Sequence, residues 1–147
     1  MDYKAWVVVA DSSQARIFGA NSRGGGLTEL EKFEHPESRM KDQDLKTDKA
    51  GRMYSMQGEF RTTAEQTPAR KMEAERFAQK LADHLEKSQH NNKFERLILV
   101  AGPSFLGMLR NSLKDTTRKT LSNELDKDLC RVEKSEEIRK RLPEYLW

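Results

Sequence analysis

Six consecutive apolar residues, Ala5 to Ala10 (AWVVVA), open the hydrophobic pattern of this chain. A short β-branched run without a polar face predicts a strand buried on both sides. Asp11-Ser12-Ser13-Gln14 follows, with side chains that hydrogen-bond their own backbone and so favour a turn. Ala15-Arg16-Ile17-Phe18-Gly19 alternates weakly and is expected to return antiparallel as the second arm of a hairpin. Asn21 to Gly26 makes a second turn. Leu27 to His35 (LTELEKFEH) then reads as a third strand. Its Glu, Leu and Lys content favours a helix, but two turns at hairpin spacing decide for a three-stranded meander.

From Pro36 to Thr67 the periodicity disappears. Thr67-Pro68 supplies a helix N-cap followed by proline at the first helical position. A helix is predicted from there to Lys87, with Met72, Phe77, Ala78, Leu81, Ala82 and Leu85 on one face and charges opposite. Ser88 to Lys93 reads as a loop, and Leu97 to Ala101 as another fully buried strand ended by Gly102-Pro103. A long helix between two strands implies a right-handed crossover and parallel pairing. Ser104 is the expected cap of a second helix that turns Phe105, Leu106, Leu109 and Leu113 inward. Asp115 to Thr120 predicts a short helical turn, Leu121 to Leu125 an edge strand, and Ser135 to Arg141 a closing helix stopped by Pro143. The expected architecture is α/β: an antiparallel meander followed by β-α-β units in one mixed sheet. A single domain over residues 1–147 is expected, with a long mobile loop over 36–67.

Composition narrows the function classes. Apolar and charged residues each make up 35% of the 147-residue chain, and 27 basic against 24 acidic residues leave a net charge of +3. That balance permits an RNA or acidic partner without the strong excess of a dedicated nucleic-acid binder. One cysteine, Cys130, excludes an intramolecular disulfide framework and a cysteine-based zinc cluster. The apolar block near the start is too short for a signal sequence, and no run reaches membrane-span length, so a cytoplasmic location without membrane insertion is expected.

Several residues are candidates for chemistry. Asp11 ends the first strand, where a metal-binding carboxylate could sit with Asp42, Asp44 or Asp48. The stronger reading is that Asp11 opens an Asx-type turn. His35 could act as a general base only beside an orienting carboxylate and a nucleophile, neither identifiable in the sequence, so packing under the following loop is favoured. His84 and His90 read as surface residues. Cys130 reads as inert, because no base or cationic surrounding is evident. Arg110, Lys114 and Arg118 would line one helical face if the region stays helical, a row suited to a phosphate backbone. Phe60, Phe94 and Phe105 are the aromatic residues that could accompany it. The stretch from Lys41 to Pro68 carries nearly balanced charge together with Leu45, Met53, Tyr54, Met56 and Phe60. Such a long segment with apolar groups of its own is often functional.

The blocks WVVVADSSQARIF, EKFEHPESR, DLKTDKAGR, EAERFAQKLADHL, RLILVAGPSFLGMLR and LDKDL, in this order, resemble the bacterial host attachment family, "protein required for attachment to host cells". That family is similar in turn to the middle domain of archaeal and eukaryotic class I release factors and of Pelota-like rescue proteins. The resemblance implies an RNase H-like fold with a mobile loop ahead of the long helix. In the release factors that loop carries a catalytic Gly-Gly-Gln tripeptide, whereas here it reads Met56-Gln57-Gly58-Glu59, and Gly24-Gly25-Gly26 lies in another turn. The expectation is therefore a non-catalytic protein without cofactor or metal, binding ribosomal or other RNA or a translation-related partner. Its binding loop would use Arg52, Tyr54, Gln57, Gly58 and Arg61. Two alternatives remain: a metal-dependent nuclease or ester hydrolase of this fold, and a protein-interaction module in attachment to host cells.

Overall fold

The computed structural model describes residues 3–36 and 68–147. Its framework is a five-stranded sheet in the order β3-β2-β1-β4-β5. The strands are β1 (Ala5–Ala10), β2 (Gln14–Ala20), β3 (Thr28–Glu34), β4 (Arg96–Ala101) and β5 (Leu121–Asp126). β2 pairs antiparallel with both β1 and β3, while β4 runs parallel to β1 and β5 parallel to β4. The meander, the crossover to a parallel β4 and the edge position of β5 all match the expected mixed α/β sheet.

Four helices complete the described residues: α1 (Pro68–His90), α2 (Pro103–Ser112), α3 (Asp115–Arg118) and α4 (Ser135–Lys140). β1 explains why there are two cores. Successive strand side chains point to opposite faces, so Trp6, Val8 and Ala10 join one apolar cluster with Phe77, Leu81 and Leu85 of α1 and Leu109 of α2. Ala5, Val7 and Val9 join a second cluster with Leu129, Ile138, Leu142 and Leu146 from the end of the chain. A strand covered on both faces must be apolar throughout, which is why AWVVVA has no alternation.

Three details differ from expectation. Met72 is exposed, and Glu73 and Ala74 are buried in its place. Nine residues separate Met72 from Leu81, two and a half helical turns, so the two side chains face opposite ways at about 100° per residue. α1 also runs three residues beyond Lys87, to His90, before Asn92 takes a left-handed φ of 58°. Ser104 does not cap α2: Gly102 holds the N-cap position without a side-chain bond, and Pro103 opens the helix. Thr67 lies outside the described residues.

Arg16 joins the layers. It is buried, and its Nε and Nη2 donate to the Glu29 carboxylate on β3 at 3.0 and 3.1 Å. Nη1 donates to the carbonyls of Cys130 and Val132, and Nη2 also to that of Glu133. All five guanidinium hydrogens are thereby used. The Arg16 contact also pulls the Glu29 carboxyl below its usual range, against a smaller opposing effect of burial.

Arg16→Lys is expected to lower the unfolding free energy by about 2–4 kcal/mol, because a lysine has three donors and no fork. Leu81→Ala should cost a similar ~2–5 kcal/mol, whereas Met72→Ala should change it by less than about 0.5 kcal/mol. Chemical denaturation of the three variants checks the ranking, and an equal loss at Met72 and Leu81 would contradict the assigned helix face.

Candidate functional site at the carboxyl edge of the sheet

In open α/β sheets the crevice beyond the carboxyl ends of parallel strands is where ligands usually bind. Here that edge is formed by Asp11 after β1, Gly102 after β4 and Asp128 after β5. A shallow cavity of about 240 Å³ opens there, lined by Asp11, Ser12, Gly102, Ser104, Phe105 and Asp128.

Asp11 is held by its own turn. Its Oδ1 accepts from the backbone N–H groups of Ser13 and Gln14 at 2.8 and 2.9 Å and from Ser13 Oγ at 3.2 Å. Oδ2 accepts from Gln14 Nε2 at 3.3 Å. These bonds are those of the Asx turn anticipated from DSSQ. The fold also brings Asp128 and Cys130 to Asp11, so that one donor atom from each lies within 4.8 Å of the others. Asp42, Asp44 and Asp48 lie outside the described residues.

The Cys130 thiol is buried, and its Sγ is 3.9 Å from the Gln14 carbonyl oxygen. Burial, followed by the negative charges of Asp11 and Asp128, pushes its pKa far above the ordinary thiol value, with Arg16 opposing weakly. A neutral thiol is a poor nucleophile and a poor metal ligand. The sequence-based reading of Cys130 as inert therefore agrees with its surroundings.

His35 has the orienting carboxylate that the sequence did not reveal. Its Nε2 lies 3.1 Å from Glu73 Oε1, and Arg76 Nη1 donates to Glu73 Oε2 at 2.8 Å. The imidazole stacks on Phe77 at 5.3 Å, and Phe77 stacks on Phe105 at 5.9 Å. His35 N–H also donates to the Ser13 carbonyl at 2.8 Å, which ties the end of β3 to the Asp11 turn. Glu73 and His35 are both buried, a pairing across 38 residues that no local spacing announces.

His84 is half-buried rather than a simple surface residue. Its ring packs against Phe33 and Trp6, and its Nε2 is 2.9 Å from Glu31 Oε1, at ion-pair distance without hydrogen-bond alignment. His90 is exposed at the end of α1.

The row of basic residues does not lie on one helix. The chain is extended at Leu113 and Lys114, so Arg110 belongs to α2, Lys114 precedes α3 and Arg118 ends α3. Arg110 pairs with Glu124 at 2.6 Å and Lys114 with Glu86 at 3.3 Å. Arg118 Nη2 donates to the Arg110 and Leu113 carbonyls. Phe94 and Phe105 are core residues, and Phe60 lies outside the described residues. So do the expected loop residues Arg52, Tyr54, Gln57, Gly58 and Arg61.

The fold and this edge define a small mixed α/β domain. A family model described as "Protein required for attachment to host cells" matches residues 6–142, and the chain belongs to that family. No curated protein matches the chain. Among solved structures, it is similar to a chain described as an archaeal protein (13% identity, TM-score 0.46, covering 93% of this chain and 36% of that one). It is also similar to the archaeal translation termination factor aRF1 (13% identity, TM-score 0.48, covering 95% of this chain and 35% of that one). The chain thus spans about a third of the length of each. No described helix is long and apolar enough to cross a membrane.

The thiol shift gives a pH prediction. A group whose folded pKa is raised stabilises the fold below its unfolded pKa, and that stability is lost as pH rises through the folded value. Unfolding free energy should therefore fall above about pH 9 more steeply in the wild type than in Cys130→Ala, by up to ~1.4 kcal/mol per pH unit. Parallel curves from denaturation at pH 7 to 10.5 would contradict the buried neutral thiol.

Proposed function

We propose that this protein acts by binding, and that residues 37–67 and the carboxyl edge of the sheet make the contact. The observation that carries the reading is where that segment is attached. Its preceding residues, His35 and Pro36, directly follow β3, and Pro68 begins α1. The His35–Glu73–Arg76 cluster joins those two elements beside the Asp11 turn. The residues that flank the longest stretch without sequence periodicity thus lie at the edge where α/β sheets bind their ligands, which supports this reading.

Chemistry at the same edge is a weaker reading. Asp11 already accepts four hydrogen bonds, and the Cys130 thiol is held neutral. The partner we favour is ribosomal or other structured RNA, or a protein bound to it. Support comes from the mild basic excess, from Arg52, Tyr54 and Arg61 as phosphate and stacking groups, and from the likeness of the host attachment family, which the sequence blocks resemble, to release-factor middle domains. The family description favours a second reading, a protein partner involved in attachment to host cells.

Sedimentation with purified ribosomes tests the first reading. Association is expected at about 50 mM salt, with a strong loss by about 200 mM. The quadruple variant Arg52→Ala, Tyr54→Ala, Gln57→Ala, Arg61→Ala should bind at least ~10-fold more weakly. Absence of any salt-sensitive association with ribosomes or RNA would refute it. A proteinaceous surface-assembly partner captured without ribosomes, and lost in the same variant, would establish the second.

A further inference from the structure

The two ends of the sheet differ in charge. Asp11, Glu34, Asp126 and Asp128 gather at the carboxyl edge. At the amino edge Lys4 and Lys119 precede β1 and β5, Arg96 opens β4, and Arg23 lies in the turn between β2 and β3. All four are exposed, with Glu95 and Glu144 as acidic neighbours. A polyanion is drawn to the amino edge and repelled from the other.

The end of the chain is pinned across this edge. Leu146 N–H donates to the Arg23 carbonyl at 2.9 Å, and Asn123 Nδ2 donates to the Leu146 carbonyl at 3.3 Å. Arg139 Nε donates to the Gly25 carbonyl, and its Nη1 and Nη2 to those of Pro143 and Glu144, each at 2.7 Å. Leu146 is buried, yet Tyr145 beside it is 61% exposed, its ring edge passing Gly24. An aromatic ring held at its root and open to solvent is a stacking platform rather than a core residue. Trp147 is half-buried and carries the Arg96 guanidinium over its ring, 5.7 Å from the centroid. That contact orients the cation without using its hydrogen-bond donors. Among the described residues no carboxylate pairs with Arg96, and its one hydrogen bond is long, Nη1 to Ser122 Oγ at 3.5 Å.

We propose that the amino edge binds a single-stranded RNA segment. One base stacks on Tyr145, and Arg96, held by Trp147, donates to a neighbouring phosphate, with Lys4 and Arg23 extending the positive track. Single strands fit because their bases are free to stack, whereas a duplex hides them. An acidic peptide would satisfy Arg96 but has no use for the exposed Tyr145 ring. This inference rests on the RNA reading above and adds to it the form of the RNA and a contact at the opposite end of the sheet.

The test is fluorescence anisotropy of a labelled oligoadenylate of about 12 nucleotides, titrated with the full chain at about 50 mM salt. The expected Kd is on the order of 1–100 µM. Tyr145→Ala should weaken binding at least ~5-fold, while Tyr145→Phe, which keeps the ring, stays within about 2-fold. Arg96→Ala should weaken it about 3–10-fold and lower the slope of log K against log salt by about 0.7. Both side chains are exposed, so these variants keep the fold. Lys80→Ala removes an exposed charge from α1 and should change Kd by less than about 2-fold.

The quadruple variant at residues 52, 54, 57 and 61 separates this contact from the surface proposed above. Oligoadenylate binding kept in that variant but lost in Tyr145→Ala and Arg96→Ala would establish the amino-edge contact. The reverse pattern would overturn it and leave the RNA reading standing, as would ribosome association without any oligoadenylate binding. Loss of both associations would overturn the two together. An unchanged Kd in Tyr145→Ala, an equal loss in Lys80→Ala, or equally tight binding of polyglutamate would each overturn the stacking site.

Discussion

The buried guanidinium of Arg16 sets the relation between the sheet and the end of the chain. An arginine inside a sheet is costly unless each of its donors finds an acceptor. Here the donors divide between a carboxylate on the neighbouring strand and three carbonyls more than a hundred residues away in sequence. The planar fork fixes distance and direction together, which a patch of aliphatic contact cannot do. Residues 130–133 are therefore seated on one face of β2, and the chain can go on to cover β1 with Ile138, Leu142 and Leu146.

That seating decides the character of the carboxyl edge. Because the Cys130 carbonyl is bound by Arg16, its side chain and Asp128 come to rest beside Asp11. Two carboxylates near a buried thiol oppose its ionisation more strongly than Arg16 favours it. The same turn that holds Asp11 also accepts the N–H of His35, so β3, the turn and the terminal segment are mechanically one piece. The edge is built from directional polar bonds whose acceptors are largely committed.

Continuous apolar runs were the legible part of this sequence. β1 and β4 are buried on both faces, so hydrophobicity, length and flanking turns locate them without knowledge of the tertiary structure. The Asx turn at Asp11 was equally readable, because its bonds span only three residues. What escaped was anything resting on contacts distant in sequence. Arg16 sits in an alternating strand and looks like an ordinary solvent-facing position until the end of the chain is folded onto it. Glu73 looks like one charge among many on α1, and only its pairing with His35 explains its burial. Strict 3.6-residue periodicity would have excluded Met72 from the buried face and admitted Ala74. The break at Leu113 and Lys114, which splits the basic row, has no glycine or proline to announce it.

The distribution of buried polar groups follows one rule. Arg16, His35 and Glu73 are three of the five buried polar residues among those described, and each stands where an irregular segment joins the sheet. Arg16 holds the terminal segment, while His35 and Glu73 hold the two elements that residues 37–67 connect. Apolar contact is non-directional: it can press a layer onto the sheet but does not choose where a segment enters or leaves. Hydrogen-bonded polar groups in a low-dielectric setting do make that choice, since a displaced partner leaves a buried donor or charge unsatisfied. Within the strands and α1, periodicity sets which side chains are buried. The irregular segments have no periodicity, and the buried polar bonds take over its positioning role at their junctions.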